Sequence, residues 1–221
     1  MSYQPRVVDA ELAAALDAVG AVLIEGPKAC GKTETARQAA QSEVRLDVDE
    51  EARLAAATDP ALVLPGEAPR LIDEWQLEPA LWNHVRRAVD DRQASGQFIL
   101  TGSAVPPDDA TRHSGAGRFG RLRMRPMTLS EAGHSTEAIS FRSLLAGDSV
   151  EAGDTGHTVE RIAELVTIGG WPDNLDRTVE QAQRLVRGYV DQIARTDVQR
   201  VDGVRRDPET ISRLLRSLAR N

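Results

Sequence analysis

Gly26-Pro27-Lys28-Ala29-Cys30-Gly31-Lys32-Thr33 is the stretch that decides the fold. It fits G-x-x-x-x-G-K-[ST] at every fixed position, and its flanks supply the context that the pattern needs. Before it, Ala21-Val22-Leu23-Ile24 is a short, continuous apolar run, the signature of a central strand covered on both faces. After it, a helical pattern extends to about Gln41. In a strand, glycine-bounded loop and helix of this kind, backbone N–H groups turn inward around phosphates and the helix adds its positive end. Gly26, Pro27, Lys28, Ala29, Cys30, Gly31, Lys32 and Thr33 are therefore the candidate phosphate-contacting residues. Lys32 is expected to reach the β- and γ-phosphates of a nucleotide, and the Thr33 hydroxyl to bind Mg²⁺. The plainer alternative, a chance match in a glycine-rich turn, does not account for the flanks.

Composition sharpens this reading. Lys28 and Lys32 are the only lysines, and the other 25 basic residues are arginine. A compact ammonium fits between phosphate oxygens where a planar guanidinium does not. Lys28 has no equally specific role.

Working outward, residues 6–18 place Val7, Val8, Leu12, Ala15 and Leu16 at helical spacing, and Gly20 ends the pattern. Val44 to Asp47 reads as a second strand and Glu50 to Thr58 as an alanine-rich helix. Arg70-Leu71-Ile72 is a third strand closed by Asp73-Glu74, and Glu78 to Gln93 is a helix presenting Leu81, Trp82, Val85 and Val89 on one face. Phe98-Ile99-Leu100 is a fourth strand, residues 105–120 are a loop, and Leu122 to Met127 is a fifth strand. Strands alternating with helices predict an α/β fold: a P-loop NTPase parallel sheet with helices on both faces. Beyond it the pattern turns helical. Thr128-Leu129-Ser130-Glu131 has capping-box spacing and predicts a helix start. Thr158 to Val166, Val179 to Thr196, and a last helix capped by Asp207 with Pro208 in its first turn follow. The expected division is a core over residues 1–145 and a helical remainder over residues 146–221.

Chemistry-bearing residues recur at predicted strand ends. Asp73 suits a magnesium-holding aspartate, and Glu74 a glutamate that polarises the attacking water. Either is also an ordinary acidic strand terminus, a reading weakened by the intact loop. Thr101 and Ser103 end the next strand, where a polar side chain can orient water between Glu74 and the γ-phosphate; a plain Thr-Gly-Ser turn is the alternative. Arg112 and Arg118 lie in the loop before the fifth strand. An arginine there acts either as a finger across a subunit interface, which implies a homo-oligomer, or as a solvated charge. Arg121, Arg123 and Arg125 alternate with Leu122 and Met124, and residues 110–130 contain no acid. That stripe fits a nucleic-acid backbone or carboxylates elsewhere in the chain. Cys30 is expected to be a small tolerated residue whose alkylation would crowd the phosphates.

The remaining composition excludes more than it selects. With 27 Lys plus Arg against 34 Asp plus Glu, the 221-residue chain carries a formal charge of −7, which argues against non-specific coating of nucleic acid. One cysteine and the dispersed His84, His113, His134 and His157 exclude disulfide and structural zinc scaffolds. No apolar run approaches the roughly 18 to 20 residues of a membrane span, and Asp9, Glu11 and Asp17 argue against a signal peptide. A cytoplasmic protein without a membrane partner is the expectation. Guanine recognition through Asn-Lys-x-Asp is disfavoured, because no lysine follows Lys32.

Gly26 to Thr33, Leu71-Ile72-Asp73-Glu74-Trp75-Gln76, Phe98 to Ala104 and the run from Arg123 to Glu131 together resemble a family of prokaryotic AAA-type ATPases. Leu46-Asp47 and Gly169-Gly170-Trp171-Pro172 extend the likeness over nearly the whole chain. The resemblance implies an AAA-like core followed by a small helical or winged-helix-like lid. Members typically continue into an uncharacterised, nuclease-like C-terminal domain, expected to be absent here. The reading is an ATP-hydrolysing module with Mg²⁺, in which Lys32 and Thr33 bind phosphates and metal, Asp73 supports the metal and Glu74 activates water. The alternative is a nucleotide-gated binding module, associated with DNA through the arginine stripe, with little or no hydrolysis.

Overall fold

The computed structural model describes residues 3–102, 115–151, 153–198 and 206–220. They fall into two compact units, Met1–Ser135 and Thr136–Asn221.

The first unit is built on five parallel strands: β1 (Ala21–Glu25), β2 (Ser42–Arg45), β3 (Arg70–Asp73), β4 (Phe98–Thr101) and β5 (Phe119–Arg123). Their spatial order is β2-β3-β4-β1-β5. In β1, alternate residues serve opposite layers, as the pleat of a strand requires. Ala21 and Leu23 join Val44, Ile72, Phe98 and Leu100 on one face, under α3 (Glu50–Thr58) and α4 (Leu81–Arg92). Val22 and Ile24 join Leu71, Ile99 and Leu122 on the other, under α1 (Val7–Ala18) and α2 (Lys32–Ala39). The two cores explain why the central strands β1 and β4 read as continuous apolar runs, whereas the edge strands β2 and β5 do not.

The fifth strand differs from expectation. It starts at Phe119 and ends at Arg123, three residues earlier than the apolar pattern begins, because Phe119 stacks on Trp82 at 4.0 Å between ring centroids. Thr128 to Glu131 is a turn, not a helix start. The reciprocal bonds of a capping box do form, Thr128 N–H donating to Glu131 Oε2 at 2.7 Å and Glu131 N–H to Thr128 Oγ1 at 3.2 Å. Glu131 is also bound to the start of the chain, and Gly133 follows with φ of 72°. The motif closes a loop and goes no further.

The second unit contains α5 (Phe141–Ala146), α6 (Val159–Ile168), α7 (Val179–Gln192) and α8 (Pro208–Leu218). Its helix starts obey local rules: Thr158 accepts from Arg161 N–H, Thr178 from Gln181 N–H, and Asp207 from Thr210 N–H. Of the two expected architectures for this part, the described residues show the helical one, without a strand. Among the described residues, no helix is long and apolar enough to cross a membrane.

Candidate functional site

Parallel strands put all their C-terminal ends on one edge, and three adjacent ones build the site. Ile24, Thr101 and Asp73 lie at one level across β1, β4 and β3. The loop of residues 26–31 leaves β1 at that level and feeds α2. Gly26 is required by close approach: a Cβ there would come within 2.5 Å of the Met124 carbonyl oxygen. Gly31 precedes α2 with φ of 99°, a conformation that glycine adopts without strain, and its carbonyl accepts the Thr35 N–H at 2.9 Å.

Lys32 is only 7% exposed, and its ammonium donates to the carbonyls of Pro27 and Gly26 at 2.8 and 3.1 Å. Burial pushes its pKa below the ordinary value, opposed by Cys30, Glu74 and Asp73. The Thr33 hydroxyl lies 3.0 and 3.2 Å from the two oxygens of Asp73, and Thr101 donates its hydroxyl to Asp73 Oδ1. Asp73 and Thr101 are 4% and 0% exposed, so a buried carboxylate is held by hydroxyls from α2 and β4 rather than by an ion pair. Glu74 follows in the left-handed region, φ 56° and ψ 40°, and receives the side-chain amide of Gln76. Among the described residues, no group of three or more His, Cys, Asp or Glu can hold a metal. Thr33 and Asp73 instead form a two-oxygen set, of the sort that leaves most positions around Mg²⁺ to water and phosphate.

Lys32, Thr33, Asp73, Glu74 and Thr101 are thus brought together. Ser103 and Arg112 lie outside the described residues. Arg118 is not brought to the site. Its carbonyl accepts from Ala21 N–H at the start of β1, and its guanidinium pairs with Asp90 at 2.8 Å, which sets it at the opposite edge of the sheet. Parallel pairing of β5 with β1 dictates that distance. Cys30 is fully buried, and burial raises its thiol pKa despite Lys32 and Arg6, so it packs the loop and is a poor nucleophile. Arg121, Arg123 and Arg125 are exposed while Leu122 and Met124 are buried, as the alternation requires. Arg121 pairs with Glu25 at 3.0 Å.

Two contributors were not among the candidate site residues. Arg6, 8% exposed, donates to the Cys30 carbonyl at 2.9 Å, to the Arg125 carbonyl at 2.8 Å and to Glu131 at 3.0 Å. It fastens the back of the loop to the 125–131 segment. Burial pushes the Glu131 carboxyl up, but N–H bonds from Thr128 and Val7 and the Arg6 guanidinium outweigh it and leave its pKa below the ordinary value. The capping-box spacing flagged Glu131 for a different reason, and nothing local marks Arg6. Gln76 stands two places after Glu74 without a recognisable periodic role.

A family model describing an AAA domain matches residues 19–133, just over half of the chain. The chain belongs to the AAA domain family. Residues 159–221 match a second model, a domain of unknown function (DUF8612). The AAA domain match covers every strand of the sheet and the whole phosphate loop, and it identifies the first unit as a nucleotide-binding P-loop fold. Uncharacterised proteins of Mycobacterium tuberculosis and Mycobacterium bovis are each 31% identical over 139 residues, covering 61% of this chain and 32% of the relative. The aligned part thus spans about a third of the length of these relatives.

Proposed function

We propose that the chain binds ATP with Mg²⁺ and hydrolyses it, and that the site is formed by the loop of residues 26–33 with Asp73, Glu74 and Thr101. The observation that carries this reading is the hydroxyl-carboxylate chain Thr33–Asp73–Thr101 directly behind the phosphate loop. A buried aspartate bound by two hydroxyls is an oxygen-rich site suited to a hard cation. Thr33 and Asp73 would hold Mg²⁺, which when bound neutralises charge on the β- and γ-phosphates. Lys32 exchanges its loop carbonyls for phosphate oxygens, and its depressed pKa is raised again by the anionic partner. Backbone N–H groups of the loop and of the α2 N-terminus bind the remaining oxygens. Glu74 takes a proton from the attacking water as the water oxygen bonds to the γ-phosphorus and the bond from that phosphorus to the β–γ bridging oxygen breaks, releasing phosphate and ADP with the electron pair on the β-phosphate, and Thr101 fixes Asp73 beside Glu74. No role follows for Arg118 at its own chain's site.

Glu74→Gln tests the assignment. It should bind ATP like the wild type in equilibrium titration and lose roughly 10²- to 10⁴-fold in turnover; wild-type hydrolysis would overturn it. A nucleotide-gated module acting on DNA is a second reading, favoured by the exposed Arg123 and Arg125 beyond the Glu25–Arg121 pair. Steady-state hydrolysis measured with and without DNA, alongside mass in solution with and without ATP, separates it from the first and tests for a homo-oligomer.

A further inference from the structure

Gln76 carries an inference that rests on the assignment of Glu74 as the base. The residue lies in the short turn Trp75–Leu77. Trp75 is fully buried and its ring meets Trp82 of α4 at 5.5 Å, so the turn is anchored to the core on one side. The left-handed conformation of Glu74 bends the chain so that the Gln76 amide returns to the Glu74 carboxylate and donates from Nε2 to Oε2.

The other amide atom behaves differently. Gln76 Oε1 is buried and has no hydrogen-bond partner among the described residues. It packs against Gly102, the buried residue immediately after Thr101, where a Cβ would overlap it. Leaving a buried amide oxygen unpaired is unfavourable, and an apolar side chain of similar size would fill the same space without that cost. The donor end must therefore matter more than the packing. Gly102 complements it: Thr101 fixes Asp73, and the bare backbone beside it admits the amide that fixes Glu74.

We propose that Gln76 is a positioning residue for the base. Its amide holds Glu74 Oε2, restricting a carboxylate on a flexible stem to one orientation and leaving Oε1 as the oxygen that takes the proton from water. Gly102 is the space that makes this possible. The backbone of Gly102 lies outside the left-handed region, so alanine is sterically allowed there except for Gln76 itself.

Three variants of the full chain, Gln76→Ala, Gly102→Ala and their combination, test the proposal by ATP turnover. Each single variant should lose roughly tenfold to a hundredfold in kcat, as expected for a misplaced catalytic group, with KM for ATP within about twofold. The double variant should be no slower than the slower single one, because both changes remove the same contact. Unchanged or faster turnover in Gln76→Ala, or losses that multiply in the double variant, would overturn it. A readout independent of turnover is the Gln76 side-chain amide proton signal in ¹⁵N-labelled protein, which should move upfield in Glu74→Ala; a signal that stays in place removes the contact. If Glu74→Gln hydrolyses ATP normally, the base assignment fails and the positioning role with it. If Glu74→Gln is inactive while Gln76→Ala matches the wild type, the positioning role fails alone.

Discussion

Buried polar side chains in the two units do different work. In residues 1–135, Lys32, Asp73 and Thr101 are buried at one edge of the sheet, and their partners are one another or the phosphate loop. In residues 136–221, Asn174 is the buried polar residue among those described, and its side-chain amide donates at 2.8 Å to the carbonyl of Ile168, the last residue of α6. The first set concentrates charge and hydroxyls beside the loop of residues 26–33; the second finishes a helix. The apolar side chains divide likewise. Those of β1 are enclosed on both faces, whereas Val159, Ile162, Val166, Leu214 and Leu218 of α6 and α8 are exposed. Burying polar groups is unfavourable unless they are satisfied, so a cluster of them in the densest core is a stronger functional sign than the same residues on amphipathic helices.

Several substitutions press on that contrast. Trp75→Ala should have the largest effect, about 3–5 kcal/mol of lost stability in urea unfolding, because it empties the core beside Glu74 and removes the contact to Trp82. Glu131→Gln should cost about 3 kcal/mol at pH 7 by leaving Arg6 buried without its carboxylate. The pH dependence has a definite sign. The folded pKa of Glu131 is lowered, so its stabilisation is complete above the unfolded value of 4.5 and is lost as pH falls through the folded value. Chemical denaturation across that range should show the gap between wild type and variant shrinking only on the acid side. Asn174→Ala should cost about 1–3 kcal/mol in chemical denaturation by leaving the α6 terminus unsatisfied. Leu218→Ser should change stability by less than about 0.5 kcal/mol, since the side chain is already exposed. A large loss there would show that the apolar face of α8 is covered in solution.

The order of the strands, the phosphate loop and the acidic end of β3 were legible along the chain because each is local, whereas α5, at six residues too short to show a helical period, was not. Apolar runs of two to four residues mark strands buried twice, glycine at two fixed places marks the loop, and an aspartate directly before a proline and an apolar stripe marks the start of the last helix. Each signal lies within about ten residues. The start of β5 was not legible, since Phe119 is fixed by stacking on Trp82, 37 positions earlier in the chain. Thr128 to Glu131 satisfied a helix-start rule and made a turn, because Glu131 is claimed by Arg6 and Val7 across more than a hundred residues. The same limit applies to the site. Sequence alone singled out Lys32, Thr33, Asp73 and Glu74 as candidates. Only the tertiary structure decided that Thr101 stands between the loop strand and the Asp73 strand, that Arg118 belongs to the far edge, and that Gln76 fits over Gly102. Those facts depend on β4 entering the sheet between β1 and β3 and on β5 pairing with β1, and strand order is set by the burial of whole faces, which no stretch of adjacent residues encodes.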